Sequence, residues 1–174
     1  MAIKVANNQS LTAITALPSA VSGGAMTLLE TQTASSSATL SFTSNIDDTY
    51  DEYVFRFYDI HPATDETFLN FNFTIDGTNW NVTKTSTAFR ADHNEDDLNT
   101  DFEYWGSRDL AQGTGFQNIG FAMGNDNDQA TSGELTIYAP SSTTFVKHFM
   151  AVSNNVHGAD LTIHGFVAGY GNTT

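Results

Sequence analysis

Apolar residues recur at every second position through most of the chain. "FLNFNFTI" (68–75) sets Leu69, Phe71, Phe73 and Ile75 on one side and Phe68, Asn70, Asn72 and Thr74 on the other. "YDEYVFRFYDI" alternates Tyr53, Phe55 and Phe57 with Val54, Arg56 and Tyr58, and "SATLSFTS" places Leu40 and Phe42 two apart. The same period runs through "FQNIGFAM" (Ile119, Phe121, Met123), "GELTIYAP" (Leu135, Ile137), "TTFVKHFMAV" and "DLTIHGFVAG". A period of two with β-branched and aromatic enrichment predicts half-buried strands, and no window carries a sustained helical stripe. About eight to ten short strands separated by Gly, Asn, Asp and Ser turns predict an all-β, antiparallel β-sandwich of jelly-roll-like form. Asp76-Gly77 between two alternating runs predicts a hairpin. Residues 91–115 are the longest weakly patterned stretch and read as a long loop, with at most a short helix near 108–112.

Residues 1–24 differ in character. Small and polar residues surround scattered apolar ones, and a Pro and a Gly-Gly pair close the stretch. It reads as an extended N-terminal docking arm. Ile3, Val5, Leu11, Ile14 and Leu17 are the side chains it would bury on a partner. Residues 25–174 then form the sandwich domain. "HGFVAGYGNTT" ends in a polar tail directly after an apolar strand, so the domain is expected to lack its last strand or strands.

Length and composition narrow the class. The chain has 174 residues, enough for one core. Twenty acidic residues stand against 6 basic ones, a formal charge of −14. A chain so acidic is repelled by phosphate backbones and anionic lipid, so neither nucleic acid nor membrane is expected as a partner. There is no cysteine, hence no disulfide and no thiolate chemistry. No signal-peptide pattern opens the chain and no apolar run is long enough to span a membrane, so synthesis in the cytoplasm is expected.

Candidate chemistry is sparse. "GNDNDQATSGEL" (124–135) carries Asp126 and Asp128, which could share a cation. Counted from Asp126, the sixth calcium-loop position is Thr131 and the twelfth Ile137, where Gly and an acid are required, so the stretch reads as a solvated hairpin connection. In "DHNEDD", His93, Glu95 and Asp97 would share a face if extended, but one His is too few for zinc. His148 and His164 fall on the side of their strands opposite the apolar set, His61 sits at a strand end, and His157 with Asp160 matches no ligand spacing. Trp80, Tyr104 and Trp105 suggest a glycan-stacking platform, Tyr104–Trp105 above all, set against ordinary packing. No nucleophile elbow, phosphate loop or dinucleotide fingerprint occurs. No cofactor and no catalytic residue is expected, and the chain is not read as an enzyme.

Several stretches together carry a resemblance: "LLETQTASSSATLSFTSNIDDTYDEYVFRFYDIHPATDE", "FRADHNEDD", "RDLAQGTGFQNIG", "GNDNDQATSGEL", "PSSTTFVKHFMA" and "HGFVAGYGNTT". From about residue 27 onward the chain resembles a group of virion structural proteins of marine tailed bacteriophages, cyanophages included. The resemblance implies a virion location after synthesis in the host cytoplasm. It implies other virion proteins, of capsid or tail, as partners, and a homo-oligomer. A surface capsid decoration or head-fibre component docked by its arm is the first expectation. A tail-fibre or receptor- and glycan-binding module, with threefold symmetry, is the alternative, and a virion-bound glycan hydrolase comes last.

Overall fold

A computed structural model describes residues 26–173. The arm residues Ile3, Val5, Leu11, Ile14 and Leu17 lie outside the described residues. The chain divides into two units, 1–33 and 34–174, and all strands of the described residues belong to the second. They are β1 (Glu52–Ile60), β2 (Thr67–Phe71), β3 (Lys84–Asn94), β4 (Thr100–Tyr104), β5 (Gln117–Met123), β6 (Thr131–Tyr138), β7 (Lys147–His157) and β8 (Leu161–Gly171). The described fold is all-β: one open, eight-stranded, antiparallel sheet without helices. Six strands run in the order β1-β6-β7-β8-β3-β4. The other two, β2 and β5, pair with each other, and β5 joins β7 at a single rung, Met123 with His157.

The β7–β8 pair is the spine, in unbroken register from Lys147–Gly171 to His157–Leu161. Strict alternation on β7 buries Lys147, Phe149, Ala151, Ser153 and Asn155 and exposes His148, Met150, Val152 and Asn154. Among the described residues, one face of the six-strand path is therefore covered and the other open. The covering layer is the β2–β5 ribbon with the segments around it. Phe71 and Phe73 pack edge-on against Phe149, at 4.9 and 5.9 Å between ring centroids. Phe121 of β5 is fully buried with Ile119, Leu135, Ile137, Ile163 and Val167.

Small residues on β8 let these rings approach. A Cβ at Gly165 would stand 2.1 Å from the Phe121 ring, far inside contact distance, so the ring occupies the space of a side chain. The second device is polar. Asn155 of β7 is completely buried, and its carboxamide both accepts from Phe121 N–H (3.2 Å) and donates to Phe121 C=O. One side chain thus replaces a ladder rung where β5 has left the edge of β7.

Four expectations are corrected. Asp76-Gly77 does form a turn, with Gly77 at φ 72°, but its flanks do not pair as a hairpin. β2 stops at Phe71, the Asn72 side-chain amide donates to Trp80 C=O (2.6 Å) and Thr114 C=O (3.1 Å), and β3 finds its partners in β8 and β4. Ile75 is consequently exposed. Residues 91–115 are not one loop. They hold the end of β3, all of β4, and a segment bonded to β3 through Ser86 N–H to Leu110 C=O and the Lys84–Gly113 bridge. Residues 108–112 adopt no helix. Leu40 and Phe42 form no strand, although the Phe42 ring meets Phe55 edge-on at 5.4 Å.

Two substitutions test this packing. Gly165→Val forces apart the Phe121 ring and β8 and is expected to lower unfolding free energy in urea by about 2 kcal/mol or more. Asn155→Leu leaves two buried backbone groups of Phe121 without partners and is expected to cost about 2–4 kcal/mol in the same measurement. Wild-type midpoints in either variant would contradict the corresponding role.

Candidate functional site

The residues singled out in the sequence do not converge. Tyr104 and Trp105 are neighbours in the chain but point to opposite faces. Tyr104 ends β4 on the open face, 57% exposed, and donates its hydroxyl to Asp109 Oδ2, a bond that raises its pKa. Trp105 turns inward. Its ring lies 5.1 Å from Phe121, with the Arg90 guanidinium 4.2 Å above its centroid and the Arg108 guanidinium 5.3 Å away. Arg90 is held in turn by Asp92 (3.2 Å) and Glu103 (2.8 Å). A flat platform using both rings is therefore not formed. Trp80 lies elsewhere again, in the segment before β3, with its C=O bound by Asn72.

The acidic candidates also separate. Asp126 and Asp128 point into solvent in the β5–β6 connection, and Gln129 is the buried anchor of that loop. Its side chain accepts from Asp126 N–H (3.1 Å) and reaches towards His157 C=O and Asp160, and its C=O meets His61 Nδ1 at 2.7 Å. The loop is not a hairpin connection, because β5 and β6 pair with other strands. The chain stays extended only to Asn94, where β3 ends, so Glu95 and Asp97 do not continue the face of His93. A tight turn, with Asp97 at φ 58°, brings His93 Nε2 to 3.0 Å from Asp97 Oδ1, while Glu95 N–H bonds Asp160 C=O. Among the described residues no group of three or more His, Asp or Glu side chains is placed to hold a metal ion.

One buried cation stands out. Lys84 is inaccessible, and its ammonium donates to Asn72 Oδ1 and to Val82 C=O (2.8 Å). Burial without a carboxylate partner pushes its pKa down to about 8. A lysine of lowered pKa can act as a nucleophile, but Lys84 is sealed from solvent and its amine ties down the segment between β2 and β3.

The feature that carries no sequence motif is the open face itself. Its rows follow from the register. One runs Arg56, Glu134, Val152, Phe166, Phe89 and Tyr104 across six strands. The next holds Val54, Thr136, Met150, Ala168 and Thr87. Phe89 stacks on Phe166 (4.9 Å, 13°) and meets Phe102 edge-on, while His164 lies against Phe166 and His148 against Tyr170. Met150, Phe102 and Tyr104 remain more than half exposed. Two shallow depressions of about 450 Å³ each open on this face. One lies among Tyr138, His148, Met150, Ala168, Tyr170 and Thr87, the other among Arg56, Tyr58, Glu134, Val152, Asn154 and His164. His148 and His164 lie on the face opposite the core, as their strand parity predicts. A signal was present in the sequence: of 20 acidic residues, only Asp160 falls within 135–174.

No protein-family profile, curated protein or solved structure matches the chain.

The buried amine gives a pH test. The unfolded Lys84 titrates near its ordinary value of 10.5 and the folded one near 8. Between these values the unfolded chain holds the extra proton, so stability should rise with pH from about 8 to 10.5. Below 8 the penalty of burying the charge is fully present. The stability difference between wild type and Lys84→Met should therefore shift in favour of wild type by up to about 3 kcal/mol across that window. A pH-independent difference would mean that Lys84 titrates alike in both states.

Proposed function

We propose that this chain is a non-enzymatic structural component of a tailed-phage particle, a surface capsid decoration or head-fibre protein docked through residues 1–24. The observation that carries the reading is the open face: a broad, aromatic, nearly uncharged surface on a chain of net charge −14. Acidic proteins keep in solution by distributing charge over their surface, and a large face without it is characteristic of contact with other protein. The resemblance of residues 27 onward to marine phage virion proteins supplies the particle. Within this reading the β2–β5 ribbon over the six-strand path is the second, smaller layer of a jelly-roll-like sandwich. High salt in a marine setting screens the self-repulsion of so acidic a part, which favours dense packing on a particle surface.

Quantitative mass spectrometry of purified virions tests the proposal. Copy numbers on the order of hundreds per particle are expected of a capsid decoration, whereas a few dozen or fewer would move the chain to the tail. Absence from purified virions would remove the reading altogether. Deletion of residues 1–24 is expected to abolish attachment to the particle while leaving the β-rich circular dichroism spectrum unchanged. Attachment that survives the deletion would refute arm docking.

A further inference from the structure

We infer that the open face of the sheet binds the same face of a second copy of this chain. The inference rests on reading that face as an assembly surface, and it names the occupant.

The charge distribution selects the partner. Outer positions of β7, β8, β3 and β4 carry no acidic residue. Carboxylates stand at its margins: Glu134 lies 3.6 Å from Arg56 and Glu52 opposite Tyr138 on the β1–β6 side, and Asp109 and Asp97 bond Tyr104 and His93 on the β3–β4 side. The acids gather instead in the 47–52 segment and the β3–β4 turn. A basic partner would be drawn to those regions and gains nothing from this face. A second copy, repelled by every acidic surface, meets the least repulsion here. The residue types agree: Met150, Val152, Phe89, Phe166, Phe102 and Tyr104 match the aromatic- and Met-rich, charge-depleted centre of a protein interface.

The size is sufficient. At about 4.8 Å per strand and about 3.3 Å per residue, four strands and the 11-residue length of β7–β8 span roughly 20 by 35 Å, on the order of 700 Å² in projection. Side-chain relief raises the accessible area towards the roughly 800 Å² per partner of a stable complex. Two such faces stack at the usual sheet-to-sheet spacing of about 10 Å, and the contact is self-complementary, as a two-fold pair requires.

Sedimentation of the full chain reads the outcome. A dimer is expected, and its dissociation constant should fall as NaCl rises from about 0.05 to about 0.5 M, because salt screens the repulsion between two acidic copies. Met150→Asp and Val152→Asp should each weaken the dimer about tenfold or more, since a carboxylate would be buried against an apolar face. Leu98→Asp, which adds the same charge at an exposed position in the β3–β4 turn, should leave the constant within about twofold once salt screens it. Circular dichroism and melting of the variants confirm the fold. A monomer at every salt concentration overturns the inference, as does an oligomer that keeps its affinity in both face variants. A monomeric chain that still enters virions would remove the self-pairing and leave the structural role standing.

Discussion

The seating of the Phe121 ring on Gly165 is the contact on which the rest of the structure depends. It fixes how far the β2–β5 ribbon can sink onto β8, and so which side chains of β7 are sealed. β5 meets the edge of β7 at one rung and runs no continuous ladder with it. The single Met123–His157 rung and the Asn155 carboxamide are what join them. A buried amide that both donates and accepts gives directional hydrogen bonds where an apolar side chain would permit sliding. The aromatic seat and the polar clamp therefore specify the same position for β5, one by shape and the other by donor and acceptor geometry.

The same covered face handles its few charges consistently. Lys84 and Lys147 are buried, and both amines donate to loop oxygens: Lys84 to Asn72 and Val82, Lys147 to Ser142 and Phe145. Arg90 lies between Asp92 and Glu103 above Trp105, and Arg108 lies over Phe68 at 4.0 Å. These cations are used internally, to hold irregular segments against regular strands. That leaves the exterior of the described chain overwhelmingly acidic, with the open face of the sheet as its neutral region. Neutrality there has a physical consequence, because association between like-charged chains is governed by the surface where repulsion is smallest.

Alternation by itself determined much. The eight strands follow the period-two runs closely wherever a run is bounded by turn residues, as in β1, β5, β6, β7 and β8. The placement of His148 and His164 away from the core followed from parity alone. β4 was not legible, because "TDFEY" carries two acids in five residues. Glu103 is half-exposed and pairs with Arg90 on the neighbouring strand. The 91–115 stretch was obscured by the same density of acids, although β4 pairs with the strand directly before it.

What the sequence could not supply were the non-local pairings. The Asp76-Gly77 turn was readable, but a turn signal says only that the chain reverses, and the ladder energy came from β8 and β4 instead of the adjacent run. Tyr104 and Trp105 were identifiable as loop-adjacent aromatics. Their division between two faces is strand alternation carried one residue past β4, since Trp105 N–H bonds Ala88 C=O in the register that pairs Tyr104 with Phe89. The open face was the least visible feature. Its apolar members are spread over β1, β6, β7, β8, β3 and β4, and none forms a motif within its own strand. Residue identity and period two determined which side chains could lie on a common face. Only the register between strands distant in sequence decided that Val152, Phe166 and Phe89 stand in one row, because that row is assembled across hydrogen-bonded ladders and not along the chain.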